Sequence, residues 1–225
     1  MTRSYEDGTS MTIDFDNLDA LLSAYVAGSL PLPLQVMMAS QLQLSNQHHA
    51  FVAGLERAAG AELEELSPVP FLKRDETLDR IFNSDDKMRA EMKAPVHCDV
   101  MPSALVGFVG RSVTDIPWKT KLPGFKEFDL GNVDGCDVSM FWIRPGRTVP
   151  MHTHEGKELS LVLQGAFTDE RGAFGRGDIS IADENIEHRP TADMSAPCIG
   201  FAVTDGPQRL SGSLKQRIGD ILGAY

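Results

Sequence analysis

Two hydrophobic periods divide the chain. Leu18, Leu21, Leu22, Tyr25 and Val26 fall at i, i+3, i+4, i+7 and i+8, the spacing that lines one face of a helix. "AGSLPLP" ends that run, and Pro33 begins a second in which Leu34, Met37, Met38, Leu42 and Leu44 repeat at near-helical spacing. "SNQ" at 45 to 47 offers caps for a third helix holding Phe51, Leu55 and Ala58 inward. After "SPVP", the stretch "DETLDRIF" predicts a fourth, shorter helix with an acidic first turn and Leu78, Ile81 and Phe82 facing in. The front of the chain therefore reads as a small helical bundle.

From about residue 100 the period drops towards 2. "DVSMFWI", "ELSLVLQGAF", "DISIA" and "CIGFAVT" are short β-rich stretches separated by the turn-rich "RPGR", "DERGAFGRGD" and "TADMSAP". Strands this short and regularly spaced predict an antiparallel all-β domain, a sandwich or barrel, and the final "SLKQRIGDILGAY" predicts one more short helix through Leu214, Ile218 and Ile221. The polar, aperiodic "NSDDKMRAEMKAPVHCDVMPS" between the two regimes holds the linker. The fold class expected is α + β in separate domains, with residues 11–90 helical, 91–103 linking and 104–225 β.

Composition and charge narrow the function. With 42% hydrophobic and 24% charged residues over 225 positions, the chain has ordinary globular composition. No apolar run reaches the roughly 18 residues of a membrane helix, and the first ten residues lack the apolar stretch of a signal peptide, so the expected location is the cytoplasm, without membrane contact. A net charge of −11 argues against direct nucleic-acid binding, which needs clustered Lys and Arg. Residues 1–100 carry 8 Lys and Arg against 16 Asp and Glu, so the helical half is the more acidic and its macromolecular partner should be basic. Cys98, Cys136 and Cys198 have no CxxC spacing and read as reduced thiols, with Cys198 in the apolar "APCIGFAV" a core residue.

The chemistry concentrates in "GRTVPMHTHEGKELSLVLQG". Side chains two apart on a strand point the same way, so His152 and His154 share a face, and a short turn through Glu155 and Gly156 returns Glu158 to it. His188, at the end of the strand "ISIA" and its following loop, is placed to complete a set of three imidazoles and one carboxylate. Such donors suit zinc, iron, manganese, nickel or copper.

The spacing Gly146, five residues, His152, one residue, His154, three residues, Glu158, six residues, Gly165 resembles the first motif of the cupin superfamily without a mismatch, and Gly177 to His188 resembles the second, with Asp183, Glu184 and Asn185 where cupins often show Pro-x-Gly. The resemblance implies an RmlC-like jelly-roll barrel with His152, His154, Glu158 and His188 as the ligands of one divalent metal. Nearly the whole chain from Met11, above all "AYVAGSLP" and the cupin motif, resembles anti-sigma factors of the ChrR family, leaving residues 1–10 as an extension expected to be disordered. That resemblance implies a helical domain that holds an extracytoplasmic-function sigma factor and a cupin domain, with zinc as the expected metal, that releases it under singlet oxygen or peroxide stress. One departure is large. Relatives carry a zinc site in the helical domain, whereas the corresponding positions here read Gln41, Ser45 and His48, with Asp14, Phe15 and Asp16 at the early ligand position, so no zinc is expected there and His48 and His49 are expected at a helix start.

Cupins also include enzymes, and the donor set alone leaves open a metalloenzyme such as an iron-dependent dioxygenase of small molecules. A third reading is a ligand-binding cupin without turnover. Arg144, Arg147 and Trp142 near the domain's mouth are expected as solvated arginines and a core tryptophan rather than a ligand clamp, and Phe125, Phe128, Phe167 and Phe174 as packing. His97 is given no role.

Overall fold

The computed structural model describes residues 17–83, 98–213 and 219. The expected extension over 1–10, the positions Asp14 to Asp16, His97 and most of the expected C-terminal helix lie outside the described residues.

The helical region opens with α1 (Leu18–Val26), whose N-terminus is capped by Asn17 Oδ1 accepting from the Ala20 amide at 2.9 Å. Leu21 and Leu22 are fully buried, and Leu18, Tyr25 and Val26 pack around them, as the spacing predicts. The second helix, α2 (Leu32–Leu44), begins with proline in its first turn and buries Leu34, Met37 and Met38. It ends at Ser45, the expected cap for the next helix. The third helix, α3 (His49–Glu65), starts later, with His48 at its N-cap position and no side-chain cap. Its inner face also differs: Val52 is buried, whereas Phe51 and Ala58 are exposed, against expectation. The fourth, α4 (Arg74–Phe82), has the predicted acidic first turn at Asp75 and Glu76, but it buries no residue. Ile81 and Phe82 are 58% and 78% exposed and Leu78 is half-buried, so the apolar side expected to face in is largely open. A short α5 (Ser103–Val109) buries Leu105, Val106 and Val109 and ends on Gly110 in the left-handed conformation.

The strands form three sheets. The largest contains β1 (Lys119–Leu122), β2 (Phe125–Val133), β3 (Cys136–Ile143), β10 (Cys198–Thr204), β5 (Glu158–Gln164) and β8 (Ile179–Ala182), in that spatial order and antiparallel throughout. Facing it are β7 (Gly172–Gly175), β6 (Ala166–Asp169) and β9 (Thr191–Ala192) as one sheet, and the pair β11 (Gln208–Leu210) and β4 (His152–His154) as another. Among the described residues no ladder joins these sheets end to end, so the domain is a jelly-roll sandwich rather than the closed barrel expected: β1 and β8 remain edges.

Alternation along the large sheet separates two surfaces. Cys136, Val138, Met140, Leu159, Leu161, Leu163, Ile199, Phe201 and Val203 lie on the back and share one continuous core with Leu21, Leu22, Leu34, Met37 and Met38 of the helices and with α5. Phe201 meets Phe108 of α5 edge-on at 6.0 Å. The helix layer is also tied by polar contacts. Asp134, in the β2–β3 turn, accepts from the Leu32 amide at the start of α2 at 3.1 Å, and Gln43 Oε1 accepts from Ser103 Oγ at 3.0 Å. The front of the sheet carries Asp137, Ser139, Glu158, Ser160, Ser180 and Thr204 and looks into the sandwich.

Gly146 and Gly165 sit at φ 67° and 69°, the positive values their turns require. At Gly165 a Cβ would come within 2.6 Å of the Pro197 carbonyl oxygen, so the position admits no side chain for a second reason.

Candidate metal centre

His152 and His154 bracket β4, whose pairing with β11 sets His154 opposite Gln208 and His152 opposite Leu210. His188 is locked to the same strand from the other side: the backbone amides and carbonyls of His152 and His188 exchange two hydrogen bonds, 3.1 and 3.0 Å. Glu158 opens β5, on the front of the large sheet. The four residues are 4%, 2%, 2% and 8% exposed for His152, His154, His188 and Glu158, so they meet out of contact with bulk water. One donor atom from each lies within 4.8 Å of all the others, and they are the only such group of His, Cys, Asp or Glu side chains among the described residues.

The imidazoles are oriented by what holds their outer nitrogens. His152 Nδ1 donates to the Pro150 carbonyl at 2.9 Å, since a carbonyl can only accept, and His188 Nδ1 donates to Asp169 Oδ2 at 3.0 Å. Both rings thus turn an Nε2 lone pair inward. Burial, followed by the nearby His152, pulls His188 down to about 4, and burial also lowers His154 against the raising pull of Glu158. Near neutral pH these rings are uncharged and able to ligate.

That leaves an electrostatic conflict. The Nε2 atoms of His154 and His188 lie only 3.2 Å apart, and the buried Nδ1 of His154 has no hydrogen-bond partner, its distance to Glu158 Oε2 being 3.7 Å. Even with one proton bridging the two Nε2 atoms, the orphaned Nδ1 lone pair of His154 stays buried beside the Glu158 carboxylate, a repulsion that a cation among these donors would relieve. The donor set, its burial and this crowding all fit a divalent metal.

Behind the four donors runs a ring of supporting residues that sequence reasoning missed. Asp169 has a fully buried side chain. Burial would raise its carboxyl, but the bonds from Arg171 and His188 outweigh this and hold it below the usual range. Arg171 binds Asp169, donates to Ser180 Oγ at 2.8 Å and donates to the Ile181 carbonyl at 2.6 Å. Its approach to His188 Nδ1 sets donor against donor, so the His188 proton goes to Asp169. Ser160 Oγ donates to Glu158 Oε1 at 3.2 Å, and Ser160 pairs directly with Ser180 across β5 and β8. One network thus braces both Glu158 and His188. Its members sit in "TDERG" and at alternate strand positions, where nothing in the local pattern distinguishes them from turn and surface residues.

Other expectations resolve differently. Cys198 and Cys136 are buried core thiols that burial pushes up to about 12 and about 11. Trp142 is half-buried beneath Lys126, whose ammonium lies 4.7 Å from its ring centre. Phe167 and Phe174 stack at 5.0 Å, as packing predicts. Arg144 is exposed as expected, but Arg147 is only 4% exposed, because the turn after β3 folds its stem against Gly124.

Comparison with known proteins now decides the family. Residues 108–206 match the family described as ChrR cupin-like domain. The anti-sigma-E factor ChrR of Cereibacter sphaeroides is 36% identical over 208 residues, covering 92% of this chain and 97% of that protein. The chain belongs to the ChrR family. The crystal structure of Rhodobacter sphaeroides SigE in complex with the anti-sigma ChrR superposes with a TM-score of 0.67 at 36% identity, over 84% of this chain and 97% of the other. The match to ChrR spans the helices as well as the sandwich. Against the zinc-bearing pattern described for the ChrR family above, Gln41 lies 2% exposed inside α2 with its Oε1 unpartnered, Ser45 terminates that helix and His48 precedes α3. His49 Nε2 lies 2.7 Å from the Leu42 carbonyl, bridging the two helices instead.

Proposed function

We propose that this chain is a cytoplasmic anti-sigma factor: its helical region, 11–90, holds an extracytoplasmic-function sigma factor, and its cupin region, 104–225, carries a metal that controls release under oxidative stress. The observation that carries the reading is the match to ChrR along both regions, not the cupin alone. A run of exposed apolar residues supports it. Leu63, Leu66, Val69, Phe71, Leu72, Ile81 and Phe82 are all more than half exposed, and they line the end of α3, the following turn and α4, an area of the kind that marks a protein partner. Acidic residues around it suit a basic partner, as a protein that must otherwise bind polymerase and DNA would be. Among the described residues no helix is long and apolar enough to cross a membrane.

The metal is assigned to His152, His154, Glu158 and His188, and its identity to zinc. Control passes through shared packing: Glu158 faces the metal site while its neighbours Leu159 and Leu161 on the same strand face the helices. Cys136 and Cys198, buried and held protonated, make poor redox sensors, so the metal group is the better candidate for the trigger. The alternative, a metalloenzyme, is separated by the metal itself: iron with oxygen consumption favours catalysis, redox-inert zinc favours sensing.

The test is co-expression with extracytoplasmic-function sigma factors from the same genome. Wild type should co-purify with one of them in a one-to-one complex, and the double substitution Ile81→Glu, Phe82→Glu should lose that complex while metal content and circular dichroism stay unchanged. A wild-type chain that retains none of them sinks the reading.

A further inference from the structure

The front of the large sheet bounds a cavity of about 560 Å3, within the roughly 300–1,000 Å3 typical of small-molecule sites, and His152, Glu158 and His188 line one side of it. Strand register grades its polarity. Asp137, Thr204 and Glu158 lie in one row, Asp129, Ser139, Ala202 and Ser160 in the next, and Phe141, Gly200 and Val162 in the third, where the only charge, Glu127 of β2, is paired with Lys121. Beyond them Phe125, Ile143, Val149 and Phe167 close the far end.

The third row is built around an aromatic wall. A Cβ on Gly200 would fall 2.1 Å from Phe141 Cζ, so the glycine allows the phenyl ring to lie directly on the β10 backbone. The ring takes the place of a β10 side chain and gives the cavity an apolar wall two rows along the sheet from Glu158.

Charge is distributed one-sidedly. Glu127, Asp129, Asp137 and Glu158 line the space, and among the described residues no lysine or arginine does. Lys121 neutralises Glu127 at 2.9 Å and Glu158 belongs with the metal, but Asp129 and Asp137 stand exposed. An anion approaching the metal would therefore have to pass these two carboxylates.

We propose that this cavity binds a neutral or cationic aromatic small molecule, one Lewis-basic atom meeting the metal at His152, His154, Glu158 and His188 and its ring lying against Phe141, while anions of similar shape are turned away at the mouth. The inference rests on the metal assignment above and adds a ligand to it. Strands β3, β5 and β10 carry the lining on one face and the helix core on the other, so occupancy of the cavity is felt by α2 and α5 through Met140, Leu161 and Phe201.

The experiment uses the full zinc-loaded chain, with metal content measured before and after, and titrates 4-phenylimidazole and trans-cinnamate by calorimetry. 4-Phenylimidazole should bind at one site per chain, at least tenfold more tightly than cinnamate, and should lose that binding in the zinc-free chain. Phe141→Leu should weaken it at least threefold. Asp129→Lys combined with Asp137→Lys, both at exposed positions, should narrow or reverse the preference over cinnamate. Tighter binding of cinnamate by wild type, a preference untouched by the double substitution, or undiminished binding without zinc would each overturn the proposal. If the chain holds zinc and 4-phenylimidazole still fails to bind, this inference alone falls; if it holds no metal at all, the metal assignment falls with it.

Discussion

The two faces of the six-stranded sheet are both buried and chemically opposite. On the back, Val138, Met140, Leu159, Leu161 and Phe201 meet Leu34, Met37, Met38 and Leu105 through apolar side chains. On the front, Glu158, Ser160 and Ser180 are also buried, and each of them must be bonded to a neighbour or to an ion. Alternation in "ELSLVLQ" therefore does not mean apolar in and polar out to water. It means apolar towards the helices and polar towards the four candidate ligands, with a single strand contributing to both faces.

The largest effect should come from breaking the back face. Phe201→Ala removes a fully buried ring that meets Phe108, and should cost about 3–5 kcal/mol in denaturant unfolding. A cost below about 1 kcal/mol would mean that the helices are not seated on the sheet.

The front face should respond to acid. His188 titrates at about 4 when folded against 6.5 as its ordinary value, so between these the unfolded chain binds more protons and stability falls as pH falls. For the metal-free chain the loss should be on the order of 3 kcal/mol, most of it reached by about pH 4, complete only about one unit lower, and absent above about pH 7. Unfolding curves across that window check it, and stability that stays flat from pH 7 to 4 would contradict a neutral buried imidazole.

Asp169→Asn sharpens the same side. It keeps the shape but removes the anionic acceptor of His188 Nδ1 and the partner of Arg171. Metal affinity, read by competition with a chelator, should fall by about 10–100-fold with the fold intact.

The smallest effect joins the two regions at the edge of the sheet. Asp134→Ala removes the acceptor for the Leu32 amide and leaves alanine at φ 54°, together worth about 1–2 kcal/mol. Asp134→Asn retains both functions and should unfold near the wild-type midpoint.

Much of this was legible because it is local. The ligand spacing from Gly146 to Gly165 lies within one strand, one turn and the next strand, so offsets alone bring three donors together. The first two helices follow from their period, since Leu21, Leu22, Leu34, Met37 and Met38 are both periodic and buried. What was not legible depends on distant partners. Phe51 and Val52 are adjacent, and only the way α3 packs against α1 decides which turns inward. Ile81 and Phe82 carry a core-like pattern yet are more than half exposed, which their own spacing does not reveal. Asp169, Arg171 and Ser180 become one network only when β6, β7 and β8 come together, and Arg147 is buried by a turn whose composition reads as solvent-facing. The open sandwich in place of a closed barrel is likewise a matter of which edges pair, which no strand's own pattern encodes.

The central claim is that His152, His154, Glu158 and His188 close around a cation. Plasma mass spectrometry on the chain purified from metal-replete cells tests it most directly. Wild type should carry close to one zinc per chain, and folded His152→Ala close to none. A wild type free of any bound metal, or a His152→Ala chain that keeps its full complement, would contradict the account.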